Sequence, residues 1–294
     1  QKEVDILFDI IRELTARGIA VIYISHKMDE VLQIADTVTV MRDGKQIATQ
    51  PASGLNKEAL INIIVGRPLD NIFDKQPVQP GEGLLSVKAL SGEHFSDVSF
   101  EVRAGEILGI AGLMGAGRTE IMRTIFGLDK THSGSIYIKG KPVKIKSPGQ
   151  AMRLGIGFIS EDRKETGLVL SSTVKNNITL SALSICSNNR FIDRKKEAGI
   201  ADEQIRKFNI KTPGRNQSVN YLSGGNQQKV VLAKVLLRDP EVIIFDEPTR
   251  GIDIGAKAEI YKMMTALTAS GKAIIMISSE LPEVLGMSDR ILVV

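Results

Sequence analysis

The sequence predicts an α/β fold built on a mostly parallel sheet with helices on both faces. Three observations predict it. The segments ILGIAG (107–112), EVIIF (241–245) and AIIMI (273–277) are apolar throughout but for Glu241 at the head of the second, the pattern of strands buried on both sides. Helical spacing separates such runs, most clearly over 254–269. One block also occurs twice: LTARGIAVIYISHKMDEVLQIADTVTVM from Leu14 aligns without a gap on LTASGKAIIMISSELPEVLGMSDRILVV from Leu267. A match of that length marks two related domains. The first copy reads as the tail of one domain whose front part precedes Gln1, and the whole as a fragment of a longer, two-halved chain.

In chain order, the first tail reads as helix (3–17), strand (20–25), helix (28–35) and strand (37–42). The turn Asp43-Gly44, a strand (45–49) and a short helix (56–65) follow. The stretch GRPLDNIFDKQPVQPGEG is rich in proline and glycine and has no period, so 67–83 is expected to be a linker after a first domain ending at 66. The second domain, 84–294, opens with LLSVKAL and DVSFEVRAGEI, whose alternation suits half-buried strands. The apolar strand 107–112 then runs into a glycine loop, and TEIMRTIFG reads as a helix stopped by Gly127. IKGKPVKIK (138–146) reads as two short solvated strands. From about 171 to 238 the pattern is more polar and mostly helical.

Composition narrows the function. The chain has 294 residues, 43% of them hydrophobic and 24% charged, and a net charge of +4. That balance has no concentrated basic patch, so no nucleic-acid partner is expected. Cys186 is the only cysteine. With no second cysteine for a disulfide and no close basic group, it reads as an inert thiol in a reducing compartment. No apolar run approaches the ~18 residues of a membrane span, and no signal peptide opens the chain. The expectation is a soluble chain whose membrane role comes through a partner.

The chemistry lies in three motifs. GLMGAGRT comprises Gly112, Leu113, Met114, Gly115, Ala116, Gly117, Arg118 and Thr119, between a buried strand and a helix. Glycines let backbone wrap a phosphate, and amides at the helix start point at it. Thr119 would offer a hydroxyl to Mg²⁺. The pattern calls for lysine where Arg118 stands, so this loop alone could equally be a structural glycine turn. VIIFDEPT ends a strand in two carboxylates: Asp246 could hold Mg²⁺ through water, and Glu247 could orient or deprotonate an attacking water. The pair could instead be a surface acidic turn before Pro248. In YLSGGNQQK, Ser223, Gly224 and Gly225 form an amide-rich helix start, with Ser223 also read as the N-cap.

LSGGNQQK followed by DEPTRGIDIGAK resembles the ATPase subunit of an ATP-binding-cassette transporter. The similarity is to the tandem type that drives bacterial import of monosaccharides such as ribose, xylose, galactose and arabinose. EDRKETGLV (161–169) and SSELPEVLGMSDRI (278–291) fit the same class, and the resemblance covers essentially the whole chain. It implies a P-loop NTPase (RecA-like) sheet with an antiparallel β subdomain and a helical subdomain. It also implies ATP and Mg²⁺ as ligands, with each ATP held between one cassette's glycine loop and the other's signature.

By position, 112–119 is the nucleotide-binding loop. Leu222, Ser223, Gly224, Gly225 and Asn226 form the signature for the partner's ATP. Thr119 and Asp246 serve Mg²⁺, and Glu247 is the catalytic base. Glu161 falls near the place of the γ-phosphate-sensing glutamine, and Asp253 in the loop crossing the cassette interface. The switch histidine is His26 in the first copy and Ser279 in the second. Partners implied are membrane permease subunits, a periplasmic or extracellular sugar-binding protein and the first cassette of the same chain, at the cytoplasmic face of the bacterial inner membrane. The permease is expected to dock near 161–167 and the helices over 173–208, although those helices could also be a plain solvated face.

The departures bear on activity. Arginine keeps lysine's charge but brings a broad planar fork. Ser279 replaces the histidine, and an acid replaces the glutamine. The nearest candidate to stack on adenine, Phe95, reads as core. The second site is therefore expected to bind ATP and cleave it slowly or not at all, its signature serving the first site. His26 could also be an ordinary strand-end histidine. Two other classes remain open: a tandem cassette ATPase with no membrane partner, and a regulatory module that only binds nucleotide.

Overall fold

A computed structural model describes every residue except 1, 26, 43, 66–72, 74, 76, 114, 189 and 190. The chain divides into two compact units, Gln1–Ile72 with Asp253–Gly255, and Phe73–Ile252 with Ala256–Val294.

The first unit holds α1 (Lys2–Ala16), α2 (Met28–Ile34), β1 (Thr37–Arg42), β2 (Lys45–Pro51) and α3 (Lys57–Val65). β1 and β2 form an antiparallel hairpin. Met28, Val38, Val40, Leu60 and Ile61 pack into a small core under it. The strand expected over 20–25 does not form: Ile22 and Ile24 are 90% and 92% exposed, and those residues carry no strand assignment. The physical reason is the ladder. A strand exists through its neighbour's backbone groups, and no described residue of this unit pairs with 20–25.

The second unit begins inside the expected linker. The Phe73 ring lies 5.1 Å from that of Tyr261, Lys75 Nζ is 2.6 Å from Asp289 Oδ1, and Gly81 N donates to Ala104 O at 2.8 Å. The part of the stretch described from residue 73 onward is thus held by apolar, ionic and backbone contacts.

β3 (Gly83–Ser91), β4 (Val98–Arg103), β6 (Ser133–Ile138) and β7 (Lys141–Val143) make an antiparallel sheet in the order β4-β3-β6-β7. Its inward residues, among them Leu85, Val87 and Val102, join the main core. β5 (Ile107–Ala111) leads into α4 (Arg118–Ile125). After α5 (Pro148–Arg153) come β8 (Ile156–Ile159), β11 (Val242–Asp246), β12 (Ala273–Ile277) and β13 (Arg290–Val293), with α9 (Ile254–Ala269) and α10 (Leu281–Met287) between the last three. The second sheet runs β13-β5-β12-β11-β8, parallel throughout. β11 and β12 are buried at every residue, which is why they read as unbroken apolar runs.

Between β8 and β11 stand α6 (Val174–Thr179), α7 (Arg194–Lys207) and α8 (Gly224–Leu236). This region also carries a two-residue hairpin, β9 (Ser187–Asn188) with β10 (Phe191–Ile192), where helix was expected. Pairs that short leave no periodicity to read. Cys186 is fully buried there, and burial raises its thiol pKa, in keeping with an inert role.

Candidate functional site

Four strands end side by side, and the residues just past each end are chemically distinctive. β5 feeds the glycine loop, β11 ends on Asp246 and Glu247, β12 is followed by Ser278 and Ser279, and β8 by Ser160 and Glu161. In open α/β sheets ligands bind outside the carboxyl ends of the strands, and the parallel order puts these four exits on one edge.

The loop needs its glycines. Gly117 sits at φ +88°, left-handed backbone that other residues adopt at a cost, and a Cβ there would stand 3.0 Å from the His94 carbonyl. At Gly112 a Cβ would fall 2.5 Å from the Val294 carbonyl. α4 starts at Arg118 with no side-chain cap, so the amides of its first turn are open to an anion.

Below the loop, Thr119 Oγ1 donates to Asp246 Oδ1 at 3.2 Å. Asp246 is 1% exposed, and its other oxygen has no hydrogen-bond partner. Burial, reinforced by the Glu247 charge and opposed by the Thr119 hydroxyl, pushes its carboxyl up to about 6. A buried carboxylate oxygen lacking a donor beside a threonine hydroxyl suits a hard divalent cation. No cluster of three or more His, Cys, Asp or Glu that could hold a metal occurs among the described residues, so such a cation would take further oxygens from phosphate and water.

Glu247 holds a left-handed φ of +49°, a strained backbone of the kind that gathers at functional sites. Its amide donates to Ile277 O at 3.0 Å, and its carboxylate accepts from Ser279 Oγ at 3.1 Å. Burial raises its pKa above the usual carboxylate value, which favours a proton acceptor. Arg118 reaches over to donate from Nη1 to Ser278 O at 3.2 Å. Arg118, Thr119, Asp246, Glu247 and Ser279 are thus brought together.

The other expected residues lie nearby or apart. Glu161 borders the same cavity as Thr119 and Asp246, a space of about 480 Å³ that extends under α8 to Lys234, and its carboxylate pairs with Arg250. Ser223 occupies the N-cap position of α8, but no helix amide bonds its hydroxyl. The expected cap is corrected: the Asn226 side-chain amide reaches back and donates to Ser223 Oγ at 2.9 Å, a local competition typical of such side chains. Leu222, Gly224 and Gly225 frame that helix start, and Asp253 stands just before α9. Phe95 packs against the main core, as expected. Met114 and His26 lie outside the described residues.

Two residues escaped the sequence reading. Arg163 donates to Arg250 O at 3.0 Å and Gly251 O at 3.4 Å, holding the loop after Thr249. Glu283, 2% exposed, accepts from Thr249 Oγ1 at 2.7 Å and from Ser278 Oγ. The recurrence of Glu-Val-Leu at 30–32 and 283–285 was the available sign of the latter.

With that geometry in place, comparison with known proteins becomes informative. A family model described as ABC transporter matches residues 95–250. A protein of Clostridium tetani named ribose import ATP-binding protein RbsA is 50% identical over 293 residues, covering 99% of this chain and 58% of its own length. A protein of the same name from Oceanobacillus iheyensis is 50% identical over 294 residues, covering 100% and 59%. A Burkholderia ambifaria protein named for ribose, galactose and methyl galactoside import is 53% identical, covering 99% and 57%. The chain therefore spans less than two thirds of the length of these curated relatives. Among solved structures, an ATP-binding cassette of an ABC transporter in its ADP conformation superposes with a TM-score of 0.62 at 21% identity, over 72% of this chain and 87% of that one. An ATP-binding subunit of an ABC transporter gives 0.58 at 25%, over 72% and 85%.

Proposed function

The chain belongs to the ABC transporter ATPase family, and from that premise we propose that it is part of the ATP-binding, energy-coupling subunit of a bacterial monosaccharide importer. The observation that carries this reading is the Thr119–Asp246 pair under the glycine loop, beside a strained Glu247 bonded to Ser279. The relatives' names, which join sugar import to ATP binding, support the substrate class.

In this reading, amides of the loop and of the first turn of α4 grip the triphosphate, with Arg118 supplying positive charge. Thr119 and Asp246 would hold Mg²⁺, which would supply positive charge against the negative charge developing on the phosphates. Glu247, raised by burial, would take the proton of an attacking water. Arg118 and Ser279 stand where lysine and histidine are expected, so this site grips nucleotide and turns it over slowly. Residues 1–66 are read as the tail of a first cassette, and Leu222, Ser223, Gly224, Gly225 and Asn226 as the clasp for that cassette's ATP. Such a subunit works at the cytoplasmic face of the membrane with permease subunits and a sugar-binding protein. Among the described residues no helix is long and apolar enough to cross a membrane.

The test is isolation of the tagged full gene product from membranes. Co-purification of a permease at fixed stoichiometry, with ATP turnover stimulated by it, is expected. Absence of any membrane partner contradicts the reading.

A further inference from the structure

Next to the nucleotide site, a buried carboxylate joins two loops that leave different strands. Glu283 Oε1 accepts from the Thr249 hydroxyl at 2.7 Å, and Oε2 from the Ser278 hydroxyl. All three residues are 2% exposed. Thr249 lies two residues beyond Glu247, on the loop that continues through Arg250 and Gly251. Ser278 lies one residue before Ser279, and its carbonyl accepts from Arg118 of the glycine loop at 3.2 Å. An unbroken run of hydrogen bonds therefore leads from the phosphate cradle to the loop after Glu247: Arg118, Ser278, Glu283, Thr249.

The first copy of the repeat builds half of this device again. Ser25 and Glu30 align with Ser278 and Glu283. Ser25 Oγ donates to Glu30 Oε2 at 3.4 Å, and accepts from the amide two residues on, Lys27 N, at 3.1 Å. In the second copy Ser278 Oγ likewise accepts from Glu280 N at 3.1 Å. The backbone of the residue before each following helix is the same in both, φ −90° and ψ 99° at Lys27, φ −89° and ψ 100° at Glu280. In each copy the serine hydroxyl thus holds the amide two residues on, and a glutamate from the next helix holds that serine. The serine–glutamate bond is kept in the first unit although the strand leading into it does not form.

Burying a carboxylate is costly unless its oxygens are bonded. A device kept in two copies, in two different settings, points to a purpose beyond filling space. The geometry points to Glu283 as a positioning residue: it couples occupation of the phosphate cradle, felt at the Ser278 turn, to the placement of the loop Thr249–Ile252. This rests on the nucleotide-binding reading above. In this reading Glu283 acts through Ser278 and Thr249, with the Tyr261 hydroxyl also bonded to its carboxylate.

The test compares Mg-ATP with Mg-ADP by hydrogen-exchange mass spectrometry on the whole chain. It uses wild type, Glu283→Gln, Thr249→Val and Thr249→Ser, with affinities and unfolding midpoints measured in parallel. Valine matches threonine in shape but lacks the hydroxyl, and serine restores it. In wild type and Thr249→Ser, Mg-ATP should slow exchange over 249–252 about tenfold more than Mg-ADP, the equivalent of about one hydrogen bond. In Thr249→Val and Glu283→Gln that ATP–ADP difference should vanish while Mg-ATP affinity changes by less than about threefold, as for a residue outside the binding contacts. Persistence of the difference in both variants overturns the proposal, and so does its loss in strict proportion to lost affinity, which is the mark of a purely structural role. If Glu283→Gln does not fold, the valine and serine pair decides alone. A wild-type chain that binds Mg-ATP without the difference overturns this proposal only. One that takes up neither nucleotide overturns the binding reading and this proposal with it.

Discussion

Asp246 ends a fully buried strand with one oxygen on Thr119 and the other unbonded. Its carboxyl titrates at about 6 instead of 3.8, mainly through burial. Between those values the folded chain keeps a proton that the unfolded chain releases, so this group's contribution to stability falls as pH rises from near 4 through about 6. Above that range the cost is about 3 kcal/mol. Asp246→Asn removes it: the variant should unfold at higher urea than wild type at pH 7.5, show no gain at pH 4, and lose the Mg²⁺ dependence of nucleotide binding. Equal loss of stability at both pH values would contradict this. The same titration predicts that wild-type Mg-ATP affinity declines as pH falls below about 6, measurable with a fluorescent analogue. Arg118, Asp246, Glu247 and Ser279 were legible in the sequence because each sits at a fixed place in a motif. Arg163 and Glu283 were not. A charge near a helix start reads as a solvated face, and only folding reveals that one oxygen pair of Glu283 reaches two loops.

At the scale of elements, continuous apolar runs located the parallel strands, and the expected bounds 254–269 and 273–277 coincide with α9 and β12. Those runs are unambiguous because both faces are covered. Where pairing decides, sequence alone fails: 20–25 has the same apolar character as β12, yet β12 lies between β5 and β11 while 20–25 has no neighbour among the described residues. The β5–α4 turn offers a direct test. Gly117→Ala forces a side chain into left-handed backbone, 3.0 Å from the His94 carbonyl, at a cost of about 1–2 kcal/mol. Mg-ATP affinity should drop about tenfold with α4 otherwise intact by circular dichroism. Unchanged affinity would show that the loop does not wrap the phosphates.

At the scale of the whole molecule, the two units are unequal. The second carries a five-stranded parallel sheet and a glycine loop. Among its described residues the first carries a hairpin, three α-helices and the second serine–glutamate bond. The repeat makes that relation readable in the residues themselves, because alignment of Leu14 with Leu267 needs no gap. The relatives are longer than this chain by a wide margin; a site shared between two cassettes, each loop completed by the other's signature, is part of the proposed reading. The central proposal is that the second unit binds its own nucleotide but cleaves it slowly or not at all. A single-turnover measurement tests this most directly. The chain, in excess over radiolabelled Mg-ATP, is quenched at intervals and the bound and cleaved fractions are counted. Nucleotide should be bound and recovered as ATP over many minutes. Rapid release of phosphate by the monomeric chain would contradict the claim.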